Sequence, residues 1–149
     1  MSKDQLAWRK KFGVLAPSTN SIVEADFNRM NVPGVTPLFS RIHIYDQDLS
    51  SEAQMEKLRV QLDESIDHAI DLVCTAEVDY MVMGMSAETF WDGKDGNERF
   101  KSRIKERSGG LDVATGAEGC ERALHKFGAK TIGVITPYQA NGDRQVIGF

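Results

Sequence analysis

Short apolar runs alternate with helical patterns along this chain, and this alternation constrains the fold more than any other feature of the sequence. Five such runs predict strands, at residues 13–16, 35–45, 80–84, 111–113 and 131–136. Between several of them, apolar side chains recur at helical spacing. Strands that alternate with helices build βαβ units. We therefore predict an α/β fold in which a Rossmann-like parallel sheet is flanked by helices.

The helical segments can be placed from their ends and their apolar faces. Four helices are predicted, over about residues 21–30, 51–76, 115–127 and 142–148. Asn or Ser residues stand where the first two begin, as helix caps often do: Asn20 or Ser21, and Ser50 or Ser51. On the longest helix, the acidic face with Asp63 and Asp67 is interpreted as a solvated surface.

Two further segments have a simple interpretation. Polar and apolar side chains alternate in the second predicted strand, which suggests an edge position or one wetter face. Residues 91–96 are the most loop-like part of the sequence, and we expect them to form either a surface turn or a lid.

Composition and charge exclude several classes of function. The 149 residues carry a formal net charge of -4, whereas a nucleic-acid partner normally requires a basic face. No apolar run approaches the roughly 20 residues that span a bilayer. Residues 1–11 are polar and charged, without the apolar stretch of a signal peptide. We expect a cytoplasmic protein that binds neither nucleic acid nor membrane.

Metal sites and nucleotide cofactors also lack support. Cys74 and Cys120 fall within helical patterns and have no metal-ligand spacing, so buried free thiols are the expected interpretation. The three histidines are scattered. The sequence contains neither a Gly-x-Gly-x-x-Gly nor a Walker-type loop, and the segment around Ser86 is not a hydrolase elbow. We expect no cofactor.

Polar clusters follow three of the predicted strands, at residues 17–20, 84–89 and 136–139. In open α/β folds, the loops at the carboxyl ends of the strands form the ligand crevice. Hydroxyl and amide groups there would donate hydrogen bonds to carboxylate oxygens or to an enediolate. The alternative for a Ser or Asn after a strand is a helix cap, which is the more frequent role.

Three motifs, in this order, resemble one family: Pro17-Ser18-Thr19-Asn20, the segment from Gly84 to Gly93 that ends in Phe90-Trp91-Asp92-Gly93, and Thr136-Pro137-Tyr138. Together they resemble the Asp/Glu racemase superfamily, in the branch of maleate cis–trans isomerases and arylmalonate decarboxylases. The resemblance implies a cofactor-free enzyme that acts at the carbon next to a carboxylate of a small dicarboxylate. It also implies two pseudo-symmetric domains with the site between them. Residues 1–113 would form the first domain and 114–149 the beginning of an incomplete second one.

The resemblance also implies roles for five residues. Asn20 matches a substrate-binding asparagine, Ser86 and Ala87 match a polar pair that holds carboxylate oxygens, and Tyr138 completes this carboxylate clamp. Met85 stands where racemases and isomerases have their first catalytic cysteine. A thioether has no proton to give, so a decarboxylase-like mechanism fits better than a two-cysteine one. The proton donor would then be a cysteine outside this sequence.

Other interpretations stay open. Isomerisation or racemisation remains an alternative to decarboxylation, and the clamp could belong to a carboxylate-binding module without catalytic activity. A third hypothesis is a truncated chain. Apolar surface on the helix at 115–127 would then be exposed at the edge of the second domain and would drive formation of a homo-oligomer.

Overall fold

The computed structural model describes residues 4–46, 52–138 and 140–149 of the chain. Four strands form one parallel sheet in the order β2-β1-β3-β4. They are β1 (Lys10–Pro17), β2 (Val35–Ile42), β3 (Tyr80–Met83) and β4 (Val113–Ala114). The helices are α1 (Val23–Met30), α2 (Glu52–Cys74), α3 (Ala87–Phe90), α4 (Gly93–Arg107), α5 (Gly116–Lys126) and α6 (Ala140–Gly148). The predicted α/β class and parallel sheet are confirmed.

Helices cover both faces of this sheet. On one face, α1 packs against β2 through Phe27 and Phe39, whose ring centroids are 5.8 Å apart in an edge-to-face arrangement. The other face carries the core with α2, where Leu15, Ile66 and Ile70 are fully buried. Among the described residues β2 pairs with β1 alone, so it lies at an edge of the sheet, which is one of the two possibilities that its alternating pattern suggested.

Helix α2 is joined to α4 by a row of ion pairs. Arg103 contacts the carboxylates of Asp63 and Asp67, and Arg107 contacts Asp71. The acidic face of α2 therefore binds a neighbouring helix, so the interpretation of Asp63 and Asp67 as a solvated surface is wrong. The partly buried guanidinium of Arg103 makes these contacts part of the α2–α4 interface.

The prediction of a loop at 91–96 is wrong for its last four residues, because α4 begins at Gly93 and runs to Arg107. Only a turn at Trp91 and Asp92 separates α3 from α4. Asp92 occupies the left-handed region, with φ of 58°, which allows this abrupt change of direction. A lid would require a loop at residues 91–96, and most of that segment is helical.

The fifth predicted strand is also absent from the described part of the chain. Residues 131–136 form no ladder with the sheet, and Ile132, Val134 and Ile135 are exposed. An apolar pattern shows that a segment favours burial, but a strand also needs a partner edge to which its backbone can bind. Here β4 has only two residues, and they pair with β3.

The remaining predicted elements agree with the structure to within a few residues, whereas the short helix α3 was not predicted. The helices predicted at 115–127 and 142–148 correspond to α5 and α6. The proposed caps Ser50 and Ser51 lie outside the described residues. Within those residues, no helix is both long and apolar enough to cross a membrane.

Candidate functional site

The loop that leaves β1 is fastened to the end of β2. The backbone N–H of Ser18 donates to the carbonyl of Ile42 at 2.7 Å, and the Ser18 hydroxyl accepts from the N–H of Ile44 at 3.0 Å. Both bonds extend the pairing of β1 and β2 past their last residues. The Ser18 hydroxyl therefore holds the loop in place.

Asn20 is used first to shape the start of α1. Its side-chain oxygen accepts from the N–H groups of Ile22 and Val23, at 2.8 and 2.9 Å. These donors have no partner within the helix, so the bonds satisfy them as a cap would. Among the described residues, the side-chain amide nitrogen of Asn20 makes no hydrogen bond and remains a possible donor.

Arg41 is a residue of this region that the sequence motifs did not reveal. Its guanidinium donates to the carbonyl of Asn20 at 2.9 Å and pairs with the carboxylate of Glu24. Arg41 thereby ties the end of β2 to the loop after β1 and to α1. The sequence does show that Arg41 alternates with apolar residues in β2, which places it on the same face of the strand as Phe39.

Residues just past β3 lie against the start of α1. The N–H of Gly84 donates to the carbonyl of Leu15 at 2.7 Å. A Cβ on Gly84 would lie 2.8 Å from that oxygen and 3.1 Å from a methyl of Val23, so only glycine fits here. Because Val23 also binds Asn20, this contact places the loop after β1 beside the loop after β3.

Met85 packs against the hydrophobic core and is half-buried. Its side chain is therefore used in packing, directly before Ser86 in the sequence. A thioether in this place supplies neither a proton nor a thiolate.

The hydroxyl groups of Ser86 and Tyr138 are hydrogen-bonded to each other, with their oxygens 2.8 Å apart. Ser86 is the cap residue of α3, but its side chain makes no capping bond and faces Tyr138 instead. Ala87 follows as the first residue of α3, where a backbone N–H has no partner within a helix. The structure thus brings together two residues that the sequence separates by 51 others.

The position of Tyr138 depends on α6. Its N–H donates to the Thr136 hydroxyl at 3.2 Å, and that hydroxyl binds the carboxylate of Asp143. A Cβ placed on Gly142 would lie 2.6 Å from the Cβ of Tyr138, so the two backbones approach as closely as glycine allows. Contacts with the first turn of α6 therefore fix the position of Tyr138 next to Ser86.

The cysteines do not contribute to this site. Cys120 is exposed on α5, so the expectation that it is buried is wrong. Cys74 is half-buried at the end of α2, where burial and the nearby carboxylate of Asp71 raise the pKa of its thiol. Among the described residues, no group of three or more His, Cys, Asp or Glu side chains could hold a metal ion.

Comparison with protein-family models finds no match, and comparison with curated proteins finds none either. Solved structures, in contrast, match well in fold. Nocardia farcinica maleate cis–trans isomerase bound to Tris matches with a TM-score of 0.73 and 16% identity, over 94% of this chain and 57% of that one. The cysteine-to-serine mutant of the same enzyme, with a covalently bound succinylcysteine intermediate, matches with a TM-score of 0.72 and 18% identity. The match covers 94% of this chain and 58% of that one.

A third match is the maleate isomerase of Pseudomonas putida S16 with maleate, in a cysteine-to-alanine variant. It has a TM-score of 0.69 and 18% identity, over 93% of this chain and 57% of that one. The fold is that of the maleate isomerases. It agrees with the fold that the motifs predicted, and this chain spans under three fifths of the length of these enzymes.

Proposed function

We propose that the protein is, or is part of, a cofactor-independent enzyme of the Asp/Glu racemase type that acts on a small dicarboxylate. The observation that carries this proposal is the hydrogen-bonded pair of Ser86 and Tyr138 at the carboxyl end of the sheet. Ligands of open parallel sheets bind at that end. The likeness in fold to maleate isomerases supports the same class of substrate.

In this proposal, the two hydroxyls and the N–H of Ala87 form the carboxylate clamp. They hold the carboxylate that the substrate retains, next to the carbon that reacts. As an electron pair develops on that carbon, it delocalises into the held carboxylate and forms an enediolate. The charge on the held oxygens rises, and donors fixed beside them stabilise the transition state more than the ground state.

Met85 favours decarboxylation over the two-cysteine reactions. During decarboxylation, the bond to the leaving carboxylate breaks, carbon dioxide departs, and its bonding electrons remain in the enediolate. One proton donor then completes the reaction at carbon. Racemisation or isomerisation with two cysteines would require a thiol where Met85 packs against the core. We propose that the single donor is a cysteine outside this sequence.

The clamp is tested by removing one hydroxyl. Maleate and phenylmalonate are titrated into the full chain, and binding is followed by NMR or calorimetry. Tyr138→Phe should weaken binding by about 1–2 kcal/mol, or roughly 5- to 30-fold in Kd. Tyr80→Phe is the matched control, since Tyr80 begins β3 and packs against Phe12. Equal affinity of both variants and the wild type would remove Tyr138 from the site.

A carboxylate-binding module without turnover is the second candidate, and Met85 is the observation that favours it. The two functions differ in the fate of bound substrate. Proton NMR distinguishes phenylacetate formed from phenylmalonate, fumarate formed from maleate, and no product. The comparison needs a protein that includes the proposed proton-donor cysteine. If such a protein binds both compounds but converts neither, the binding module is favoured.

Three earlier expectations stay predictions. They are the cytoplasmic location, the division of the chain near residue 113, and self-association through apolar surface. The exposed side chain of Phe127 lies at the end of α5, within the range 115–127 where that surface was expected, and the exposed Ile132 and Ile135 follow it. We propose that they contact a second copy of the chain.

A further inference from the structure

Thr89 is a polar side chain with no exposure to solvent. Its hydroxyl donates to the carbonyl of Ser86 at 2.7 Å and accepts from the N–H of Ala117 at 3.3 Å. A carbonyl only accepts and an N–H only donates, so the direction of both bonds is fixed. This one hydroxyl therefore joins the start of α3 to the first turn of α5, 28 residues later.

Ser86 depends on such support because α3 is too short to be rigid alone. The helix has four residues, which is well below the length that is stable without packing. The start of α5 supplies that packing. A Cβ on Gly116 would lie 3.9 Å from both the Cβ of Ser86 and the hydroxyl of Thr89. Ser86 therefore lies against the first residue of α5, and Thr89 holds the two together.

We propose that Thr89 is a positioning residue, whose buried hydroxyl fixes the backbone of Ser86 so that the Ser86 side chain meets Tyr138. This inference rests on the proposed function of the Ser86–Tyr138 pair as part of a carboxylate clamp. Thr89 itself does not touch the substrate. It acts by fixing the direction in which Ser86 presents its hydroxyl.

The test compares two substitutions at this position. Thr89→Val keeps the shape of the side chain but removes the hydroxyl, and maleate binding should weaken about tenfold. Thr89→Ser retains the hydroxyl and should bind within about twofold of the wild type. Thr75→Val is the control, because the Thr75 hydroxyl donates to a carbonyl three residues earlier with the same length, 2.7 Å, at the end of α2.

A double-mutant cycle separates positioning from a general loss of structure. When Tyr138→Phe has already removed half of the hydroxyl pair, Thr89→Val should cost less than about threefold in affinity. An undiminished tenfold loss in that background would show that Thr89 does not act through the pair. Wild-type affinity in Thr89→Val would also overturn the proposal.

A measurement on the wild-type protein remains decisive if Thr89→Val does not fold. The N–H of Ala117 lies in the first turn of α5, so within the described residues the Thr89 hydroxyl is its hydrogen-bond partner. Its hydrogen exchange should be at least about tenfold slower than that of Gly116. Equal exchange would overturn the proposal. If the wild type binds neither maleate nor phenylmalonate, the proposed function fails, while slow Ala117 exchange would still support the link between the helices.

Discussion

A substitution at Gly142 should change the affinity for a dicarboxylate while leaving the free energy of unfolding nearly unchanged. A Cβ at this position would lie 2.6 Å from the Cβ of Tyr138 and 3.0 Å from its Cγ. Carbon atoms pack at about 3.5–4.0 Å, so Gly142→Ala must move Tyr138 away by roughly 1 Å. The oxygens of Ser86 and Tyr138, now 2.8 Å apart, would separate beyond hydrogen-bond distance.

Two opposing effects decide the stability of Gly142→Ala. Alanine favours a helix over glycine by about 0.5–1 kcal/mol, whereas the close contact costs about 1 kcal/mol or more until Tyr138 shifts. We expect the free energy of unfolding to change by less than about 1 kcal/mol. Affinity for maleate should nevertheless fall by about 1–2 kcal/mol, because the clamp loses one oriented hydroxyl.

Gly119→Ala is the matched control for this prediction. Gly119 lies within α5, and a Cβ there would meet no atom within 4 Å. The variant should gain about 0.5–1 kcal/mol of stability and bind maleate as the wild type does. Denaturant unfolding gives the stabilities and calorimetry the affinities. Unchanged binding in Gly142→Ala, with Tyr138→Phe still impaired, would refute the argument that Gly142 sets the position of the tyrosine.

Three further predictions follow from contacts away from the clamp. Arg41→Gln should speed hydrogen exchange in the loop at Asn20 and lower the free energy of unfolding by less than about 1 kcal/mol. If neither quantity changes, Arg41 does not hold that loop in place. At neutral pH, a maleimide should label Cys120 before Cys74, because the raised pKa of Cys74 leaves less of its thiol as thiolate. Raising the pH should narrow the difference between the two labelling rates, and faster labelling of Cys74 would contradict its burial. Ile135→Asp should abolish concentration-dependent association in sedimentation, and a wild type that stays monomeric would remove the proposed contact.

The sheet could be predicted from the sequence because each strand carries its own signal. Four apolar runs correspond to β1 through β4, and the edge position of β2 is one of the two possibilities that its alternating pattern suggested. Helix α4 gave no comparable signal, since glycines and charges dominate its sequence and few of its residues are buried. Its partners, Asp63 and Asp67 on α2, are specified by tertiary structure, which a single helical pattern does not contain.

The site shows the same division between local and tertiary information. The sequence places Ser86 and Tyr138 in polar clusters after predicted strands. Ser86 does follow β3, whereas no strand precedes Tyr138 in the described part of the chain, and the structure nevertheless brings their hydroxyls together. The sequence offers both Asn20 and Ser21 as caps of the first helix, and the structure shows that the side-chain oxygen of Asn20 makes the capping bonds. Arg41 and Gly142 belong to no motif, because their roles exist only once the neighbouring elements are in contact.

All three groups proposed for the clamp are uncharged, and this has a consequence for specificity. Neutral donors gain most where negative charge is greatest, so an enediolate is favoured over the carboxylate from which it forms. That preference requires donors whose positions are set before the substrate binds. The hydrogen bond between Ser86 and Tyr138 sets the positions of the two oxygens in advance, and in the proposed complex a carboxylate replaces this one bond with two of its own. Ground-state affinity should therefore be modest, while the stabilisation of the enediolate is retained.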